Sequence, residues 1–153
     1  MKEQHAIDEM LEGLRSSRID ERRYAAGWFM GEATWHGSIE VKPRDLNEII
    51  ELLVSEDDKE VRRDLARGVA AAVRYEKSYN LEPLYRYFVG LVQDAKESRE
   101  PLEEVETGSI VSTFAYSSDR RKKDIWDLLK GLDDDLIRDI GDPVYELKCN
   151  LED

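Results

Sequence analysis

Apolar residues return along this chain at helical spacing and are then broken by short polar runs. Ile7, Met10, Leu11 and Leu14 recur at one-turn intervals, the polar run SSRIDER interrupts them, and an alanine-rich apolar run follows. That reads as a helix, a turn and a second helix. The pattern then repeats: Leu46, Ile49, Ile50 and Leu53 take the same relative places, SEDDKE interrupts, and VRRDLARGVAAAV follows. The offset is 39 residues in the first helices and 40 in the second. Periods of about 20 to 50 residues mark stacked helical hairpins, because one hairpin cannot bury its apolar face alone.

A looser third copy begins with LEPLYRYFVGLV, where Leu84 and Phe88 take the places of Ile49 and Leu53. It continues after AKESRE into PLEEVETGSIVSTFAY. A fourth starts at Asp124 with IWDLLKGL and breaks at DDD. It ends in a helix entered through Asp142-Pro143, a capping aspartate followed by proline at the first helical position. The intervening LIRDIG predicts a broken or displaced second helix in that copy. No strand alternation of useful length competes, and no low-complexity linker divides the chain. The expectation is therefore an all-α protein, an α-α superhelix of about three to four hairpins, forming a single helical-repeat domain over residues 1–153.

Composition narrows the function classes. The 153 residues are enough to bury a core without metals or disulfides. Cys149 is the single cysteine, so no internal disulfide is available, which fits a reducing compartment and a structural role for that thiol. The longest uncharged run, Thr107 to Ser118, falls far short of the ~20 apolar residues that span a bilayer, and the N-terminus is too acidic for a signal peptide. These features predict a cytoplasmic protein without a membrane partner. A net charge of -12 repels phosphate backbones and makes nucleic acid an unfavoured partner. The charge is uneven, -4 over residues 1–80 and -8 over residues 81–153.

The segment Val61-Arg62-Arg63-Asp64-Leu65-Ala66-Arg67-Gly68-Val69-Ala70 resembles the second-helix pattern of HEAT repeats. Glu21-Arg22-Arg23-Tyr24-Ala25-Ala26-Gly27-Trp28-Phe29-Met30 resembles it too, with Glu21 in the place of the valine. The resemblance implies second helices lining a concave surface. It also implies a turn aspartate that joins the arginine in a ladder between repeats: Asp57 or Asp58 for Arg62, and Asp20 near Arg22.

On an ideal helix Val61, Leu65, Val69 and Ala72 form one stripe, and Arg63, Arg67 and Arg74 lie on the opposite side, close to one line. In a HEAT-like array this row would point into the groove, either as a solvated face balanced by neighbouring acids or as a seat for an acidic peptide. On the same wheel Ala25 and Phe29 face the core, with Trp28 and Trp35 at its flanks as packing or as aromatic anchors. Glu32 and His36 stand one turn apart, enough for a local hydrogen bond and too few for a metal site. The small-residue run Thr107 to Thr113 suits close helix packing or a ligand cavity. Its Ser109 and Ser112 have no nearby histidine and form no nucleophile elbow. The basic run Arg120 to Lys123 reads as a solvated loop or an acid partner.

These residues point first to a protein–protein interaction scaffold or adaptor that takes a partner in its concave groove. Arg63, Arg67 and Arg74 would steer an acidic segment, with Trp28 and Trp35 as anchors. No catalytic, cofactor-binding or metal-ligating residue is assigned. Two enzyme alternatives use HEAT-like folds, the bilin lyases and the DNA alkylation repair glycosylases. A third alternative is an acidic inhibitory or immunity-type protein, whose C-terminal half, with Asp133 to Asp135, would mask a basic partner.

Overall fold

The computed structural model describes residues 2–36, 40–74, 79–117 and 119–151, with side chains throughout except at residues 2, 3, 35 and 36. These residues form α1 (Lys2–Leu14), α2 (Ile19–Gly31), α3 (Pro43–Ser55), α4 (Lys59–Val73), α5 (Glu82–Ser98), α6 (Glu104–Ala115), α7 (Arg121–Lys130), α8 (Asp134–Ile137) and α9 (Gly141–Leu151). A π-turn, Glu32–His36, continues α2, and a 3-10 turn, Arg138–Ile140, joins α8 to α9. No strand occurs among the described residues.

Local sequence explains the boundaries. Pro43 and Pro83 sit at the starts of α3 and α5, where a missing N–H costs nothing. The carboxylate of Asp58 accepts the Val61 N–H and caps α4; Glu103 does the same for α6 through the Glu106 N–H. The C-terminal end of α5 turns on Arg99 at φ 63, a left-handed conformation that lets its N–H reach the Ala95 carbonyl.

Packing follows a regular order. Odd-numbered helices α1, α3, α5 and α7 neighbour one another in one layer, and α2, α4, α6 and α9 do so in a second. Within each hairpin α1 meets α2, α3 meets α4, α5 meets α6 and α7 meets α9. The all-α stack of hairpins read from the periodicity is what the chain builds, and the apolar spacing is the cause. Ile49, Ile50, Leu53, Leu65 and Phe88 are wholly buried between the layers, each contributing about 1.5–3 kcal/mol by leaving water.

The fourth hairpin departs from the others in the expected place. Helix α7 begins at Arg121, three residues before the anticipated start at Asp124. Asp119 draws the helix start back by accepting the Arg121 N–H at 2.8 Å and pairing with its guanidinium at 2.9 Å. The LIRDIG segment spends its residues on α8 and the 3-10 turn. Helix α9 therefore starts at Gly141, directly after that turn, and Asp142 lies inside its first turn instead of capping it.

No helix among the described residues is long and apolar enough to cross a membrane. Cys149 is exposed on α9 beside Tyr145, so it is not the buried structural thiol expected.

Candidate functional site

Two arginines repeat the same geometry forty residues apart in the second-helix layer. Arg22 donates to the Ser16 carbonyl at 3.0 Å and pairs with Glu56 at 3.1 Å. Arg62 donates to the carbonyls of Glu56 at 3.0 Å and Asp57 at 2.8 Å, and pairs with Glu106 at 2.8 Å. Each guanidinium thus ties the turn of its own hairpin to an acid of the next hairpin. The residues after them behave alike: Arg23 pairs with Asp58 at 2.9 Å, and Arg63 with Glu103 at 2.8 Å.

This corrects the expected ladder. Asp57 serves Arg62 through its carbonyl, not its carboxylate, and Asp58 is engaged by Arg23. Asp20 pairs with Arg18 at 3.1 Å, and Arg22 finds Glu56 instead. An arginine fork reaches outward along its helix, so the next turn is a nearer source of acid than its own. The hydrogen bond from Arg23 holds the Asp58 carboxyl below its ordinary range.

Glu106 is the most committed of these acids, with only 5 % of its surface exposed. Tyr87 donates its hydroxyl to the same carboxylate oxygen that Arg62 contacts, at 2.7 Å. Burial and that carboxylate push the Tyr87 phenol well above its usual range, so it stays a donor at neutral pH. Neither residue was marked by sequence reasoning. The available signal was a glutamate in the place where α4 begins its buried stripe with Val61.

Beyond the ladder lies a groove of about 720 Å³ across the second-helix layer. Helix α4 supplies Arg67 and Arg74 on one side, α6 supplies Gly108, Ser109 and Ser112 in the middle, and Arg138 with Pro143 flank the other side. Arg63 does not line it. The expected row of three arginines is therefore split: Arg63 holds the joint to α6, and only Arg67 and Arg74 border open space.

Arg67 is exposed and makes no hydrogen bond or ion pair with the described residues; its nearest charge influence is on Asp64, one turn back. Burial pushes the Asp64 carboxyl above its ordinary value, and Arg67 opposes the rise. Arg74 lies 4.3 Å over the Tyr116 ring, a cation–π contact that fixes the guanidinium without consuming its hydrogen-bond donors. Arg138 is drawn 3.6 Å from Asp139. Glu104, Asp139 and Asp142 also border the groove, so its charge is mixed. Arg138 and Tyr116 were missed from sequence because nothing in a helical wheel reports which later helix stacks beside α4.

The remaining candidates separate. Trp28 is half-buried on the outer face of the first hairpin, in a different concavity from the arginines. The side chains of Trp35 and His36 lie outside those described, so their pairing and anchoring roles stay expectations. The small-residue run of α6 serves both readings: Gly108 lets Pro143 approach closely, and Ser109 and Ser112 line the groove. His5 meets Glu9 on α1, far along the stack from both serines. In the basic run, Arg121 pairs with Asp119 and Lys122 donates to the Asn150 carbonyl, so half of it holds local structure. Asp133 of the acidic cluster pairs with Arg99 at 2.7 Å. Among the described residues, no three His, Cys, Asp or Glu side chains are grouped to hold a metal ion.

Comparison with family models, with curated proteins and with solved structures gives no match to this chain.

Proposed function

We propose that this chain is an interaction scaffold of the short HEAT-like kind, and that its groove holds an extended protein segment carrying acidic side chains. One observation carries the reading. Arg67 and Arg74 border the groove with donors unspent, while Arg22, Arg23, Arg62 and Arg63 on the same two helices are each committed to an ion pair. Two guanidiniums without carboxylate partners, in a chain with twelve excess negative charges, are supplied with one from outside.

Geometry sharpens the partner. Seven residues apart on α4, the two arginines are separated along the axis by about 10 Å. In a polyproline-like extended segment, side chains three residues apart share one face at about 9 Å. A segment reading acid-x-x-acid therefore meets both arginines at once, its backbone running over Ser109 and Ser112 of α6. Glu104 and Asp142, bordering the same groove, disfavour more acids there and select a segment with neutral or basic residues beside the pair.

A labelled Glu-x-x-Glu peptide titrated by fluorescence anisotropy tests this. Reversal of both residues, Arg67→Glu with Arg74→Glu, is expected to weaken binding by at least about tenfold with unchanged circular dichroism, the size of effect when charge pairs are lost in a groove. Equal affinity for the reversed protein removes the proposal.

A further inference from the structure

The first hairpin carries a separate concavity of about 580 Å³ between α1 and α2, and its place is explained by the repeat. In the second hairpin, α4 receives α2 on two positions. The Phe29 ring lies against Gly68, so closely that a Cβ there would sit 2.4 Å from it, and Gly27 faces the Asp64 carboxylate. Forty residues earlier the equivalent positions on α2 are Tyr24 and Trp28. These are the positions by which a second helix accepts its neighbour, and here no described helix covers them. Tyr24 is 79 % exposed.

The face has the form of a helix seat. Tyr24 and Trp28 stand one turn apart on one side of it, and Met10 of α1 borders the other. Between them Gly13 and Ala25 make a notch: a Cβ on Gly13 would lie 2.9 Å from that of Ala25. The ionisable groups that line the concavity are Glu9, Asp20 and Glu21, without a lysine or arginine. Arg18 in the adjoining turn pairs with Asp20, and His5 with Glu9, which leaves the rim negative at neutral pH.

We propose that this face docks an amphipathic helix of a partner protein, with lysine or arginine on both sides of its apolar stripe. One large apolar side chain of that helix fills the notch at Gly13. Residues one turn to either side pack on Tyr24 and Trp28, and the basic flanks meet Glu9 and Glu21. This goes beyond the groove reading, since it assigns a second surface with a partner of opposite charge.

The probe is a peptide of about 18 residues, five helical turns, built of leucine and lysine with leucine at helical spacing. Its control is a scrambled peptide of the same composition, which keeps the charge and loses the stripe. The patterned peptide is expected to bind at least about tenfold tighter than the scrambled one, and Tyr24→Ser to remove at least about tenfold of that affinity, as loss of an aromatic anchor does. Amide hydrogen exchange should show protection over residues 6–28, and the Arg67→Glu, Arg74→Glu protein should bind this peptide as well as the parent does. Equal binding of the scrambled peptide, or an unaltered Tyr24→Ser, overturns the proposal. So does protection centred on α4 and α6. Protection of residues 6–28 that grows with the concentration of the chain alone assigns the face to a second copy and overturns it as well.

Discussion

The joint between α4 and α6 and the joint between α6 and α9 do the same job with different chemistry. At the first, Arg62 crosses to a buried glutamate and Arg63 to the cap of the next helix. At the second, no arginine crosses: Gly108 meets Pro143, and Ser112 lies 3.5 Å from Glu146. Charge fixes register where a buried carboxylate must be matched, whereas close approach of small residues fixes distance and little else. The groove opens along this second joint. Its small side chains leave room, and its lack of crossing arginines leaves Arg67 and Arg74 unanswered from that side.

The largest test of the contrast is Arg62→Ala. It strands Glu106 in the interior with only Tyr87, and removal of one partner from a buried pair costs about 3–5 kcal/mol. Denaturant melts should show that loss. Ser112→Ala at the other joint should change stability by less than about 0.5 kcal/mol. Equal effects at the two joints would erase the distinction.

Glycine substitutions should divide the same way. Gly68→Ala drives a Cβ to 2.4 Å from the Phe29 ring, and overpacking of this kind costs about 1–3 kcal/mol. Gly108→Ala places its Cβ 3.4 Å from the Pro143 ring, at the edge of ordinary contact. Here the gain of about 0.5–1 kcal/mol from replacing a helical glycine is expected to leave the protein equally or more stable. Thermal melts of the two variants decide whether the second joint has the slack claimed for it.

The smallest expected effect is on acid stability. Asp58 is held below its ordinary value by Arg23, so its contribution is fully present above the unfolded carboxyl value of about 3.9 and is lost as pH falls through the lower folded value. Asp58→Asn should flatten that acid limb and cap α4 almost as well. A limb of unchanged steepness would mean that the Arg23 pair is solvated in effect.

What the sequence revealed was set by local spacing. Leu46, Ile49, Ile50 and Leu53 announce a helix face on their own, and the forty-residue repeat of Arg22 at Arg62 announces a stack. Which arginine is free could not be read that way. Arg63 and Arg67 lie on one helical line, yet the cap residue Glu103 reaches one and nothing described reaches the other. That outcome depends on where α6 begins relative to α4, a tertiary fact. Glu106 was overlooked because a lone acid in an apolar stretch looks like an exposed one until Arg62 and Tyr87 are seen to converge on it. Trp28 was grouped with the arginines by composition, although the fold sends it to another face.

The central claim is that the space along α4 and α6 is where an acidic segment sits. Backbone amide shifts recorded by NMR while the Glu-x-x-Glu peptide is added test it most directly. The account expects the largest changes at Arg67, Ala71 and Arg74 and across Gly108 to Ser112, with α1, α3 and α5 quiet. Changes centred on the odd-numbered layer, or spread evenly over every basic residue, would contradict it.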